Sequence, residues 1–165
     1  MKDDSSEILR FLPVGLDVRG KTCLVVGGGS VGSRKVTTLR HAGAVVTVVS
    51  PAVAAELADL IDSGRVRWVQ ESFREEHVGG AFLVVAATDD DALNASVAES
   101  AVRKGALACD ASSAERSQVI FGALLEDGDV TIAVFTGGRD PSLARQTRDR
   151  IADLVGGKGD LEEEK

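Results

Sequence analysis

The sequence predicts an α/β fold: a doubly wound parallel sheet with helices on both faces, followed by a β-hairpin and a last helix. Three observations carry this. From Leu24 to Asp110 short β-branched runs alternate with segments of helical spacing, the pattern of a parallel sheet whose crossovers are helices. Gly27-Gly28-Gly29 closes the first of those runs. Beyond Asp110 the rhythm changes to two apolar runs separated by Asp127-Gly128, a hairpin signal.

The elements follow in order. Leu24-Val25-Val26, bounded by Lys21 and the glycines, reads as a buried strand. Val31, Val36, Leu39 and Ala42 recur at helical spacing and Gly43 closes that helix. Val45 to Val49 predicts a second strand ended by Ser50-Pro51, and the Ala- and Leu-rich stretch Ala52 to Ile61 a second helix. Val66 to Val69 and Ala81 to Ala87 predict the next two strands, with Thr88-Asp89 placed to cap a helix running to about Arg103. Ala106 to Cys109 is the fifth strand and delivers Asp110 at its carboxyl end.

After a polar loop at Ser112 to Gln118, Val119 to Leu125 and Val130 to Phe135 predict the hairpin. The turn Thr136-Gly137-Gly138-Arg139-Asp140 then leads to Pro141 at the first position of a helix. That helix should run to about Leu154, with Ala144, Thr147, Ile151 and Leu154 inward. Gly156 to Lys165 reads as a solvated tail. Two regions are expected: residues 1–112, the sheet, and 113–165, the hairpin and helix. The second region pairs across a two-fold axis into a homodimer, because two short strands are marginal alone.

Composition narrows the function classes. With 165 residues, 44% of them hydrophobic and 27% charged, the chain can bury a core and is not a disordered polymer. Its longest apolar run, Ala81 to Ala87, is too short for a bilayer, and the polar, acidic N-terminus predicts no secretory signal. A soluble, cytoplasmic protein with no membrane partner is expected. A net charge of -7 opposes general nucleic-acid binding, and 4% aromatic residues with no Tyr leave no base-stacking platform. Cys23 and Cys109 each lie in an apolar run with neither His41 nor His77 near in sequence, so they read as buried reduced thiols and not as metal ligands. Trp68 and Phe73 read as core.

Gly27-Gly28-Gly29-Ser30-Val31-Gly32 is a G-x-G-x-x-G motif that follows a predicted strand and opens a predicted helix, the context of a Rossmann-like dinucleotide site. Gly27 suits the tight turn, Gly29 the approach of a pyrophosphate, and Gly32 close helix–strand packing. The N–H groups of the helix start, Ser30 and Val31 among them, face the phosphates. Where a ribose-binding carboxylate is usual stands Ser50, followed by Pro51 and Ala52, with no Arg or Lys to receive a 2′-phosphate. NAD is therefore favoured over NADP, with Thr88 and Asp89 completing the crevice. A glycine turn that serves structure alone is the alternative.

Leu12-Pro13-Val14, the glycine run continued by Ser33-Arg34-Lys35, Ala86-Ala87-Thr88-Asp89-Asp90 and Thr136-Gly137-Gly138-Arg139-Asp140-Pro141-Ser142-Leu143-Ala144-Arg145 together resemble precorrin-2 dehydrogenase, the N-terminal part of siroheme synthases. The resemblance implies NAD-dependent oxidation of precorrin-2 to sirohydrochlorin, in siroheme or cobalamin synthesis. Bifunctional members also insert iron as ferrochelatases. It further implies that the carboxylate ending the fifth strand, here Asp110, acts as general base. A side chain that only caps the turn Ala111-Ser112-Ser113 is the competing reading.

The substrate that this resemblance implies is a polycarboxylate, for which Arg116, Arg139, Arg145 and Arg148 are the candidate contacts. Pairing of these arginines with Asp140, Asp149 and Asp153 on a solvated face is the alternative. Arg34-Lys35 would neutralise cofactor phosphates or lie on the surface. Two other classes of protein also fit the glycine loop, a non-catalytic NAD-sensing module and a tetrapyrrole-binding subunit that does not oxidise its cargo.

Overall fold

β1 (Thr22–Gly28), β2 (Val45–Val53), β3 (Arg67–Val69), β4 (Leu83–Ala86) and β5 (Leu107–Asp110) form a parallel sheet of order β3-β2-β1-β4-β5. The structure, a computed structural model, describes residues 9–156. The helices are α1 (Ser30–His41), the five-residue α2 (Ala58–Asp62), α3 (Asp91–Arg103) and α4 (Pro141–Gly156). Every residue of β4, and all of β1 beyond Thr22, is buried, which is what strands flanked on both faces require. Leu24, Val26, Val49, Val84, Ala86 and Ala108 form one cluster with Val97, Ala98 and Ala101 of α3. The alternate residues Cys23, Val25, Val48 and Val85 are equally buried and, by strand alternation, serve the opposite face.

Three elements differ from expectation. β2 does not stop at Ser50-Pro51: Val26 pairs with Val49 and Gly28 with Val53, so Ser50, Pro51 and Ala52 form a bulge within the strand. Pro51 has no N–H to give the ladder, and a bulge is where a strand accepts it. The Ala54 amide then donates to the Gly28 carbonyl at 2.7 Å. That pairing withdraws 52–54 from the expected helix, leaving a 3₁₀ turn at Ala55–Leu57 and the short α2. At the start of α3 the cap is Asp90, whose carboxylate accepts from the Leu93 amide at 3.0 Å, not Thr88 or Asp89.

The outer edge of β5 is closed by the loop that follows it. The Gln118 amide and the Val119 amide both donate to the Ala108 carbonyl, at 2.8 and 3.1 Å, and the Gln118 side-chain oxygen accepts from the Ala108 amide. The Asp110 amide donates to the Ser117 hydroxyl at 2.8 Å, and the Asp110 carbonyl accepts from the Ser113 amide and from Ser117. All four outward backbone groups of Ala108 and Asp110 are thus satisfied by residues 113–119.

This pairing moves the division of the chain. One unit is Pro13–Ile120, and among the described residues a second comprises 9–12 with 121–156. The expected boundary at residue 112 falls too early because 113–119 belongs to the sheet.

In the second unit β6 (Ala123–Asp127) and β7 (Val130–Val134) pair antiparallel, with Asp127 opposite Val130. The loop is therefore Gly128-Asp129. Only its first residue has positive φ, 56°, the sign pattern of a type II′ turn. The first strand begins later than Val119, whose amide is committed to Ala108. α4 packs on both strands and is capped by Asp140, which accepts from the Leu143 amide at 2.9 Å. Ala144 is its buried residue and Thr147, Ile151 and Val155 are half-buried, whereas Leu154 is 70% exposed and off the inward stripe. Of the expected tail, Gly156 ends α4 and the rest lies outside the described residues.

Candidate functional site

The glycine loop connects β1 to α1 where the strand order reverses, with β2 on one side of β1 and β4 on the other. This switch point is where a doubly wound sheet opens a crevice for ligands. Gly27 has φ 110°, and a Cβ on it would collide with the Ala87 carbonyl. A Cβ on Gly32 would collide with the Gly27 carbonyl, and one on Gly28 with the Ala52 carbonyl and Val53 of the bulge. These three glycines are needed by the protein itself. Gly29 is different: its φ is −76° and a Cβ there would meet nothing within 4 Å.

The first backbone bond of α1 runs from the Ser33 amide to the Gly29 carbonyl at 2.9 Å, and no side chain caps the helix. The preceding amides of Ser30, Val31 and Gly32 thus have no acceptor within the helix, at the positive end of its dipole. Open space over Gly29 beside uncapped amides fits a pyrophosphate. Once bound there, a nicotinamide dinucleotide supplies hydride acceptance.

The β2 bulge borders the same crevice. Ser50 is buried; its hydroxyl donates to the Ala52 carbonyl at 2.6 Å, and its carbonyl accepts from the Trp68 indole N–H at 2.9 Å. Trp68 therefore does more than fill space: it fixes the bulge. The Ser50 oxygen keeps lone pairs that can accept from a ribose hydroxyl, whereas its proton is committed.

Beyond β4 the loop Thr88-Asp89-Asp90 is tied down by Asn94, a residue the sequence reasoning missed. Asn94 is only 1% exposed. Its Oδ1 accepts from the Thr88 amide at 3.0 Å and hydroxyl at 2.7 Å, and its Nδ2 donates to the Thr88 carbonyl at 3.0 Å and to the Ser112 hydroxyl at 3.2 Å. A polar side chain inside an otherwise small and apolar helix face (Leu93, Val97, Ala98) was the available signal. Asp89 stands exposed.

Ser112 leads on to Asp110, whose side chain is fully buried. Asp110 Oδ1 accepts from the Ser112 amide at 2.9 Å and hydroxyl at 2.7 Å, and Oδ2 accepts from Arg116 Nε at 2.6 Å. The turn-capping reading of Asp110 thus has a structural counterpart in the Ser112 bonds, and the same carboxylate also holds a cation. Three donors leave about one of its four lone-pair sites unused. Arg116 reaches in the other direction to Asp91 through Nη1 and Nη2. The Arg116 guanidinium holds the Asp91 carboxyl below its usual range. Asp91 and Asp110 in turn hold Arg116 more firmly protonated than usual.

Asp110, Arg116 and Thr88 are thereby joined through Ser112 and Asn94. Arg139, Arg145 and Arg148 belong to the second unit, where Arg139 and Arg145 are exposed and Arg148 pairs with its neighbour Asp149 at 2.6 Å. Burial pushes the Cys23 and Cys109 thiols up to about 11, and both are free and buried. Lys35, beside Cys109, is half-buried, and that burial lowers its ammonium pKa. Among the described residues no helix is long and apolar enough to cross a membrane.

A five-stranded parallel sheet in this order, with a glycine turn and an uncapped helix at the switch point, defines a dinucleotide-binding protein of the Rossmann class. The chain belongs to the family described as "Putative NAD(P)-binding", whose model matches residues 14–123. It is 40% identical over 147 residues to the siroheme synthase of Nitrosococcus oceani, covering 89% of this chain and 31% of that protein. With the siroheme synthase of Methylococcus capsulatus the identity is 41% over 145 residues, 88% of this chain and 31% of that one. The chain therefore spans about a third of the length of these curated relatives. A solved structure described as "SirC, precorrin-2 dehydrogenase" superposes with a TM-score of 0.77 and 29% identity, over 87% of this chain and 71% of that chain.

Proposed function

We propose that this protein oxidises precorrin-2 to sirohydrochlorin with NAD as the acceptor. The observation that carries the reading is the likeness to a precorrin-2 dehydrogenase over most of both chains, in a fold whose glycine loop leaves Gly29 open and α1 uncapped. The amides of Ser30, Val31 and Gly32 bind the pyrophosphate, Ser50 accepts from the ribose, and Thr88 borders the nicotinamide half. NAD is preferred to NADP because Ser50, Pro51 and Ala52 offer no cation to a 2′-phosphate.

The reaction removes a hydride and a proton from the tetrapyrrole. Asp110 accepts the proton: it ends β5 beside the crevice, and one lone-pair site remains unused by Ser112 and Arg116. Arg116 contacts a substrate carboxylate; Arg139, Arg145 and Arg148, in the second unit, are candidate carboxylate contacts in their own right. That unit also forms a homodimer. Leu124 and Val130 of the hairpin and Leu143 of α4 are exposed apolar residues, and a two-stranded sheet gains from a partner. A cytoplasmic setting agrees with two free cysteines.

The test is to mix the protein with precorrin-2 and NAD under anaerobic conditions and follow absorbance. Sirohydrochlorin and NADH should appear in equal amounts, in proportion to protein. NAD binding without any change in the precorrin-2 spectrum would identify a non-catalytic module instead.

A further inference from the structure

We infer that Arg116 is a carboxylate subsite for the tetrapyrrole and that Asp91 is its internal occupant, displaced when a substrate carboxylate arrives. The inference rests on the dehydrogenase reading above and adds how a substrate side chain is taken up.

The two carboxylates on Arg116 are not equivalent. Asp110 has a side chain with no exposure and is held twice by Ser112. Removing Arg116 from it would leave a buried charge unpaired, which is strongly unfavourable. The Asp91 side chain is 71% exposed, so water can solvate it once the pair opens, and exposed pairs of this kind hold weakly. Arg116 can therefore exchange one partner only. Its Nε stays on Asp110 while Nη1 and Nη2 are the pair that Asp91 now occupies. Those two nitrogens form the end-on fork that can receive a carboxylate through two parallel bonds.

The surroundings favour such an exchange. Asp91 is in the first turn of α3, where the helix dipole stabilises a carboxylate whether or not it is paired. Arg116 also borders an open groove of about 390 Å³ along α3, lined by Ala95, Ala98 and Val102 together with the charged Glu99 and Arg103. The apolar part of that lining, ending at a guanidinium, suits a ring edge whose short side chain carries a carboxylate. In the absence of substrate, Asp91 keeps Arg116 neutralised and aimed. Neutral ligands cannot displace it, so the pair discriminates by charge.

The experiment is an equilibrium fluorescence titration of the full chain with uroporphyrin, a stable polycarboxylate tetrapyrrole. Asp91→Ala should bind it about 2- to 5-fold more tightly, the range of an exposed ion pair, with Asp91→Asn between that variant and the unaltered protein. Arg116→Gln should bind more weakly. The double variant Asp91→Ala/Arg116→Gln should show no gain over Arg116→Gln alone, which separates displacement from a general loss of negative charge. The KM for precorrin-2 should fall in parallel in Asp91→Ala. Equal or weaker uroporphyrin binding by Asp91→Ala, or a gain that persists without Arg116, overturns the subsite. If the titrations behave as expected but precorrin-2 is not oxidised, the subsite stands and the dehydrogenase reading falls.

Discussion

Asn94 spends most of its carboxamide on one residue: Oδ1 takes both the amide and the hydroxyl of Thr88, and Nδ2 returns a bond to the Thr88 carbonyl. The loop after β4 is thus shaped by a helix side chain and not by its own turn chemistry. Asn94→Ala should destabilise the protein by about 1–3 kcal/mol, since it strands buried donors and an acceptor. A urea titration reads this directly. Asn94→Asp keeps the acceptor but loses both donations and places a carboxyl at a buried position. Burial raises the pKa of that carboxyl in the folded state. The stability of the variant should therefore be highest at acid pH and fall as pH rises through that raised value. Stability of Asn94→Asp that is independent of pH between mildly acid and neutral would contradict this.

The glycines separate folding from binding. Gly32→Ala drives a Cβ into the Gly27 carbonyl and should cost stability or solubility. Gly29→Ala meets only open space in the protein, so its unfolding midpoint should match that of the parent. Its loss should appear instead as weaker NAD binding in calorimetry, because the approach of the pyrophosphate is what the new methyl obstructs. Parental affinity in a folded Gly29→Val protein would move the cofactor elsewhere.

For Asp110 the Asn variant is the discriminating one. Asp110→Asn preserves an oxygen for the Ser112 amide and hydroxyl, so the turn cap survives, but it cannot take a proton as a carboxylate does. If Asp110 is the base, turnover with precorrin-2 should fall by about 10²- to 10⁴-fold while NAD still binds. Asp110→Ala should be comparably slow and also less stable, since Arg116 and the Ser112 amide both lose their acceptor. Parental turnover in folded Asp110→Asn would leave the residue as a turn cap alone.

The thiols offer a test of the fold that needs no substrate. With Cys23 and Cys109 held up near 11, only about one thiol in a thousand is ionised at pH 8, and the thiolate is the reactive form. A disulfide reagent should label neither cysteine in the native protein and both in denaturant. Rapid native labelling would mean that β1 or β5 opens.

Periodicity and punctuation in the sequence were enough for the five strands of the sheet and for α1, α3 and α4, because buried parallel strands are nearly pure β-branched runs and glycines mark their ends. What periodicity could not express was long-range pairing. The β2 bulge depends on Gly28 meeting Val53 and on Trp68 reaching Ser50, contacts invisible to a local pattern. The late start of β6 has the same origin, since Val119 is claimed by Ala108. Among the candidate site residues, the glycine loop stood out by its spacing, and Asp110 by its place at a strand end together with the family resemblance. Asn94 could not, because a lone Asn on a helix announces nothing until the loop it holds is seen. Arg116 was identifiable as a cation near Asp110, but its division between two carboxylates depends on α3 delivering Asp91 beside it.

The closed edge of β5 has a consequence for how this chain can associate. A free strand edge is a template on which another chain can add itself and propagate. Here Gln118 imitates a neighbouring strand with its amide and its side-chain oxygen together, and Ser117 completes the disguise at Asp110. The opposite edge, β3, is only three residues long, too little to seed such growth. The sheet therefore ends at both margins, and a crowded cell should not string these molecules into fibrils through it. Gln118→Ala would uncover part of that margin, and the first sign should be concentration-dependent aggregation at unchanged secondary structure.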